Sequence, residues 1–339
     1  MTFPSTAVAA ALAGGTGPPV VGTAWGVALV RDGQVLRNAG GGSTPGVLLD
    51  PDLPPFEREA APAGATALVL HDVIDLDGVL AAVRAHLPDA QVVHRYVCRS
   101  CDFGTDPEAF ADRHLSTKRR KRLRADRRKL SDLGAVEARW LAPDEAAAAW
   151  GRYHALLVDR VLDTGRWDAT VADGDARRAW TATAGRELAV HALSVAGTPV
   201  SFRTGFVVGQ RFLGLAPVAA RDLSGVSLGD LHMRMLLDDL HARGATSYLL
   251  GKGDNEHKET WGTSTYDLSS VVVGLRDGTR SRAIVTAEVA RQHLRRRVTE
   301  RGWEHPLRRG LHRWASLTDR DYRAALRRRV AASAAGDGA

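Results

Sequence analysis

Between Leu188 and Leu250 the hydrophobic pattern changes period in one order, and few folds accommodate that order. Leu188–Val195 and Val200–Val208 are apolar strand-like runs on either side of Ala196-Gly197-Thr198-Pro199, a hairpin turn. Gly209-Gln210 then turns the chain into Arg211–Val218. Three successive runs joined by tight turns predict an antiparallel meander. Ala219–Gly229 is a loop rich in Gly and Ser. Leu231–Ala242 follows with helical spacing, Leu231, Met235, Leu236 and Leu240 falling on one side and Gly244 ending it. Thr246–Leu250 predicts a short strand, Gly251–Gly262 a polar loop and Tyr266–Leu275 a last strand. The consequence is chemical as well as architectural. A strand entering a glycine-containing loop at a helix start presents unsatisfied N–H groups and the positive end of a helix dipole, an anion-binding arrangement.

The flanking sequence divides into other blocks. Residues 1–19 are small, apolar and rich in Gly and Pro, and predict a flexible N-terminus. Val20–Val30 predicts a strand, with a turn at Arg31-Asp32-Gly33-Gln34. Gly40–Pro62 predicts a loop, Ala65–Val73 a buried strand, Asp77–Leu87 a helix stopped by Pro88, and Val92–Val97 another strand. Ser116 is a plausible N-cap for a helix through Leu133, whose apolar stripe is Leu115, Leu123, Leu130 and Leu133, with Gly134 as the stop. Pro143 and Asp144 open a helix through Leu162, with Trp150, Tyr153, Leu157 and Val161 at core spacing. The C-terminal block predicts two or three helices broken at Gly302, Pro306 and Gly310, and residues 331–339 a disordered tail.

Charge narrows the partners. The chain of 339 residues carries a net +7, but 116–130 alone holds nine Lys or Arg against one Asp, and 276–330 sixteen Arg against six acids. Two basic blocks therefore sit on an acidic body. They suit a polyanion, whether nucleic acid, an anionic membrane surface or a phosphorylated co-substrate, or else they are solvated helix faces. Aromatic residues are only 6% and do not interleave with the Arg runs, so a stacking platform for single strands is not indicated. No apolar run reaches the length of a membrane span, and the first basic residue is Arg31, so a cytoplasmic protein is expected. Cys98 and Cys101 are the only cysteines. With no second ligand pair they predict a reduced pair near a strand end, and no metal site is expected.

The polar loop carries a resemblance. Gly253-Asp254-Asn255-Glu256-His257-Lys258, followed by Trp261-Gly262, looks like the G-x-e-x-Y-K-x-x-W-g segment of the CelD/BcsL-like branch of the GNAT (GCN5-related) acyltransferase superfamily. Leu115–Leu130, ending at Gly134, is similar to that branch's basic L-S-x-k-x-R-x-x-L-R-R helix. Tyr153–Arg160 resembles its L-h-x-x-R helix, and Val195-Ala196-Gly197-Thr198-Pro199-Val200 its hairpin. The match covers about Leu115 to Trp261. His257 stands where the branch has Tyr, and Ser227-Leu228-Gly229 keeps only the ends of its S-P-G. The strand–strand–strand–loop–helix–strand order is also that of the GNAT core.

What the resemblance implies is an α/β (α+β) chain of two GNAT-like lobes, with mixed central sheets flanked by helices. The lobes would span 20–115 and 116–275, with a basic helical extension at 276–330. The implied activity is N-acyl transfer from acyl-CoA, a co-substrate and not a tightly bound cofactor, to an amine of a small molecule or sugar. Two alternatives stay open. One is an aminoacyl-tRNA donor on the same fold, gripped through 116–130 and 276–330; the other is a non-catalytic nucleic-acid-binding protein. The donor cradle is expected at Arg221, Ser224, Gly225, Ser227 and Gly229. Glu256 and His257 are base candidates, since either can carry a proton near neutral pH after modest tuning. Lys258 is a candidate for oxyanion or phosphate stabilisation; its plain alternative is a solvated loop lysine. Asp254 and Trp261 would face the acceptor, Trp261 having a core position as its alternative. His191 is expected to be a satisfied strand residue, and His232 and His241 to lie on the polar side of their helix.

Overall fold

The computed structural model describes residues 20–24, 27–32, 34–38, 55–75, 78–166, 168–172, 174–215, 217–221, 223, 225–252 and 256–336. The expected flexible N-terminus at 1–19 and most of the expected loop at 40–62 lie outside them. The structure is mixed α/β, sheets flanked by helices, and divides into two compact units: Met1–Asp102 with Tyr248–Arg301, and Phe103–Ser247 with Gly302–Ala339. Each unit is thus built from two separate stretches of chain. The expected lobe boundaries at 115 and 275 differ from this division, which returns Tyr248–Arg301 to the first unit.

In the first unit the strand order is β1 (Val20–Ala24), β2 (Val27–Asp32), β3 (Val35–Asn38), β4 (Ala67–Asp75), β12 (Ser264–Gly274), β5 (Gln91–Asp102). Only β3–β4 is parallel; the other pairs are antiparallel. The run expected as one strand from Val20 to Val30 is two, β1 and β2, paired antiparallel. Alternation along β4 sends Leu68, Leu70 and Val73 to a core shared with Val79, Leu80 and Val83 of α1 (Val79–His86). The opposite face, Ala67, Val69 and Val272, packs on Val285 of α9 (Thr279–Glu300). Cys98 and Cys101 are buried within β5 and form no disulfide, and burial raises Cys98 to about 11, so it is an inert core thiol.

The second unit places β6 (Val136–Trp140), β7 (Ala189–Val195), β8 (Thr198–Val208) and β9 (Arg211–Gly214) in an antiparallel row, with β10 (Val218–Ala219) also on β8. This is the expected meander. Two features sharpen it: β6 joins its edge, and the third run breaks into β9 and β10. The hairpin between β7 and β8 carries Ala196 and Gly197, both at positive φ, as its two-residue turn requires. The short strand expected at Thr246–Leu250 is β11 (Ser247–Leu249).

Around this second sheet lie α2 (Pro107–His114), α3 (Thr117–Leu133), α4 (Pro143–Ala148), α5 (Trp150–Thr164), α6 (Gly174–Thr183) and α7 (Leu228–Ala242). The elements α2, β6 and α6 have no counterpart in the sequence reading, and the helix expected from Pro143 to Leu162 is two, α4 and α5. The tail is helical as expected, with α10 (Glu304–Thr318) and α11 (Arg320–Gly336) after α9. Pro306 and Gly310 do not break it, and α11 continues into the stretch expected as a disordered tail. Pro306 sits in the first turn of α10, where an N–H has no intrahelical partner to lose. The tail closes a satellite core: Ala315, Tyr322, Ala325 and Leu326 pack on Val158, Val161 and Val171.

The basic helix forms as its caps predict. The Ser116 hydroxyl accepts the Arg119 N–H at 3.3 Å, and Gly134 follows at φ +144°, where a Cβ would meet that of Ala196 at 2.7 Å. Leu115, Leu123 and Leu130 are buried, but Leu133 is 59% exposed, the last turn having run past the surface it packs on.

Candidate functional site

The loop before α7 has the positive backbone its sequence suggested and a different electrostatic filling. Gly225 adopts φ +83°, a conformation that a side chain resists. Its carbonyl accepts from Lys129 Nζ of α3 at 3.4 Å. Ser227 is the N-cap of α7, and its hydroxyl makes no capping bond. Its backbone N–H donates instead to the buried carboxylate of Asp126, at 3.0 Å. Asp126 is the one acid of the basic run, and Arg122 Nε approaches the same carboxylate at 3.8 Å. One turn along, Arg119 pairs with Asp230 at 2.7 Å, while the Gly229 carbonyl accepts from Arg203 at 2.7 Å. Gly229 has open space where a Cβ would stand. Arg221 is exposed and ion-paired with Asp163. Ser224 lies outside the described residues. The basic helix α3 is therefore laid along the 223–229 loop, bringing Arg119, Arg122 and Lys129 to it. The Ser227 amide that the sequence offered to a phosphate is held by Asp126.

The second segment lies in the first unit. Glu256–Trp261 forms a short helix, α8, within the stretch expected as loop. Spacing of three turns Lys258 and Trp261 inward together. Trp261 is wholly buried, so it is a core residue under the segment and does not wall a cavity. Lys258 is 9% exposed, not solvated, and its Nζ donates to the Gly251 carbonyl at 2.8 Å and to the Lys252 carbonyl. Glu256 is exposed and His257 half-buried, its ring 6.3 Å from that of Trp261. Asp254 lies outside the described residues. The Gly251 N–H donates to the Tyr266 hydroxyl at 3.2 Å, so the N–H and the carbonyl of Gly251 are both held by side chains.

The second unit also contains a buried chain of polar groups that periodicity did not disclose. Asp239 meets His191 Nε2 at 2.7 Å, His191 Nδ1 meets His232 Nε2 at 2.8 Å, and His232 Nδ1 meets the Ser201 hydroxyl at 2.7 Å. His191 is satisfied inside the sheet, as expected. His232 is not on a polar helix face: it is fully buried, because α7 turns that face onto β7 and β8. Burial holds both imidazoles below their ordinary range, so they are neutral at pH 7. The relay ties α7, and with it the 223–229 loop, to the sheet. The hint available in the sequence was Asp239, seven residues after His232 and thus on the same helix face two turns on.

Residues 117–259 match the acetyltransferase (GNAT) domain. That span begins with the basic helix and ends within α8. Similarity to solved structures extends over more of the chain at low identity. The C-terminal DUF2156 domain of a protein assigned as a lysylphosphatidylglycerol synthetase, from Agrobacterium fabrum, is 12% identical, covering 80% of this chain and 84% of that one at a TM-score of 0.49. A GCN5-related N-acetyltransferase from Kribbella flavida is 14% identical over 82% and 98%, TM-score 0.34. FemX is 10% identical over 71% and 83%, TM-score 0.46. No curated protein sequence matches the chain. No described helix is long and apolar enough to cross a membrane, and no cluster of potential metal ligands occurs among the described residues.

Proposed function

We propose that the chain is an N-acyltransferase of the CelD/BcsL-like branch, moving an acyl group from acyl-CoA to an amine of a small molecule or sugar. The observation that carries this reading is the match of residues 117–259 to the acetyltransferase (GNAT) domain. The packing of a cationic helix along a glycine-containing helix-start loop supports an anionic donor there. In this reading Arg221, Ser224, Gly225, Gly229 and the hydroxyl of Ser227, whose amide is held by Asp126, face the donor phosphates with Arg119 and Lys129.

The reaction asks for few groups. The amine nitrogen attacks the thioester carbonyl carbon, a tetrahedral oxyanion forms, the C–S bond breaks and the leaving thiolate takes up a proton. A base removes the proton of the attacking amine, and we assign that role to His257, with Glu256 as the second candidate. Lys258 acts as a positioning residue, because its ammonium is committed to the carbonyls of Gly251 and Lys252. Trp261 anchors the segment from below, and Asp254 is assigned to the acceptor amine.

One observation favours a second donor. Lys118, Lys121, Arg122, Arg124, Arg127 and Arg128 all project to solvent from α3, a row that fits the phosphates of an aminoacyl-tRNA. Thermal unfolding with each donor separates the two. CoA at millimolar concentration should raise the melting temperature by binding the folded state alone. No shift with CoA, together with a clear shift on charged tRNA that weakens steeply with salt, would replace acyl-CoA by aminoacyl-tRNA. No shift with either would remove the transferase reading.

A further inference from the structure

The helix α10 carries its apolar face outward. Leu307, Leu311 and Trp314 recur at i, i+4 and i+7, and Leu317 follows nearly a turn on, so the four share one side of the fifteen-residue helix. That side of a surface helix ordinarily meets the core. Here the four side chains are between 46% and 74% exposed. The side that packs is small and polar instead. Ala315 is the α10 residue in the satellite core, against Val158 and Val161 of α5 and Tyr322, Ala325 and Leu326 of α11. Beside it, His312 Nδ1 meets the Tyr322 hydroxyl at 3.0 Å.

Neighbouring contacts fix that orientation. Asp319 ends α10 and caps α11, its carboxylate accepting the Asp321 and Tyr322 N–H groups at 3.0 Å each. Arg323 reaches back to the Leu317 carbonyl at 3.3 Å. The helix α11 is in turn tied to α5 by a two-point ion pair of Arg329 with Asp159, at 2.6 and 2.7 Å. Rolling the stripe inward would break the Ala315 and His312 contacts. Single apolar residues on a surface are ordinary, but four at helical spacing form a contiguous patch, and such a patch marks an interaction surface.

Charge selects the partner. Residues 304–330 hold eight Arg against three acids, Glu304, Asp319 and Asp321, and Asp319 is engaged in the α11 cap. Helical spacing puts Arg309 and Arg313 beside the stripe on one side and Arg308 on the other; all three, with Arg320 at the start of α11, are exposed. The partner must therefore be apolar at the stripe and anionic along its edges. A second copy of the chain meets the first condition and fails the second, because a two-fold contact sets the same arginines against each other. A nucleic acid meets the second and leaves the leucines in water. An anionic bilayer meets both. Its headgroup boundary takes Leu and Trp, and guanidinium groups reach lipid phosphates with their stems along the apolar surface.

We propose that α10 is a membrane-surface helix: Leu307, Leu311, Trp314 and Leu317 enter the headgroup boundary of an anionic phospholipid bilayer, and Arg308, Arg309, Arg313 and Arg320 meet its phosphates. The helix lies in the plane of the surface and does not span it. None of these residues belongs to the segments assigned to acyl transfer, and the proposal does not depend on that reading.

The test is flotation of the full chain with vesicles of phosphatidylcholine alone and of phosphatidylcholine with an equal part of phosphatidylglycerol, tryptophan emission being read in parallel. Wild type should float with the anionic vesicles and not with the neutral ones, weaken as salt is raised, and shift its emission to the blue. Trp314→Gln with Leu317→Gln should weaken binding about tenfold or more, since both side chains lose their burial in the lipid boundary, and the blue shift should go with Trp314. Arg309→Gln with Arg313→Gln should also weaken it about tenfold or more. Leu133→Gln, at an exposed leucine outside α10, should bind as wild type does. All of these side chains are exposed, so the variants should fold, which circular dichroism checks. No flotation of wild type with anionic vesicles would overturn the proposal. Equal flotation of wild type and the Trp314→Gln, Leu317→Gln variant would overturn it too, by reducing the contact to charge alone. Self-association without lipid that the same variant abolishes would overturn it and give the stripe to a second copy. The CoA titration is run on the same protein without vesicles, so its failure would remove the acyl-CoA reading and leave this surface standing.

Discussion

Replacing Lys258 with Met keeps the aliphatic stem and removes only the ammonium, which isolates what that charge does. In the structure the ammonium donates to two consecutive carbonyls, Gly251 and Lys252, from a side chain that is almost fully buried. A hydrogen bond to a charged group contributes roughly 1.5–3 kcal/mol, and a buried acceptor left unmet costs about 1–3 kcal/mol. The two acceptors are adjacent and share one donor, so the terms overlap, and about 3–5 kcal/mol is the reasoned total. With a urea slope near 3 kcal/mol per molar, the upper end of the range of about 1–3 that suits a chain of this size, the midpoint should fall by on the order of 1–2 M. The assay is urea unfolding followed by circular dichroism, with kcat and KM measured at a temperature where the variant is folded. If Lys258 holds the 251–261 segment, the midpoint falls and turnover falls with it. A side chain acting directly on the oxyanion would instead lose about 10²–10³ in kcat with little change in midpoint. An unchanged midpoint would refute the reasoning that these two bonds hold the segment.

Two further outcomes are expected. His71, His191 and His232 are all held neutral by burial, so below the unfolded-state value near 6.5 the unfolded chain takes up protons that the folded chain refuses. Stability should therefore be steady above about pH 7 and fall as the pH drops below about 6.5, by about 1.4 kcal/mol per pH unit for His71 down to about 3, with His191 and His232 acting in the same direction; melting temperatures flat from about pH 7 to pH 5 would exclude this. Gly205→Ala should be among the most destabilising single changes in the second unit, because its Cβ would run into the Leu213 carbonyl oxygen and stand 2.5 Å from the Phe212 ring. A loss below about 1 kcal/mol in the same urea assay would show that β9 can give way.

What the sequence determined by itself was local: the meander of β7, β8 and β9, the Ser116 cap and Gly134 stop of α3, the core stripe Trp150, Tyr153, Leu157 and Val161, and a cysteine pair near a strand end. Those follow from residue periodicity and turn chemistry within a few positions. It also marked the 223–229 loop and the 251–262 segment as chemically unusual. It could not say that Asp126 would take the Ser227 amide, because that contact joins residues 101 positions apart. It read Lys258 and Trp261 as loop residues since a six-residue helix has too few turns to show a period. His232 looked like a polar-face residue, and only the docking of α7 on β7 and β8 buried it. Least legible was the polar pair His71-Asp72 inside the apolar run 67–74: Arg95, the partner of Asp72, comes from another strand, and both are turned inward by bulges. A bulge is a property of register between strands, which one strand's sequence does not contain; pairing with β12 decided it.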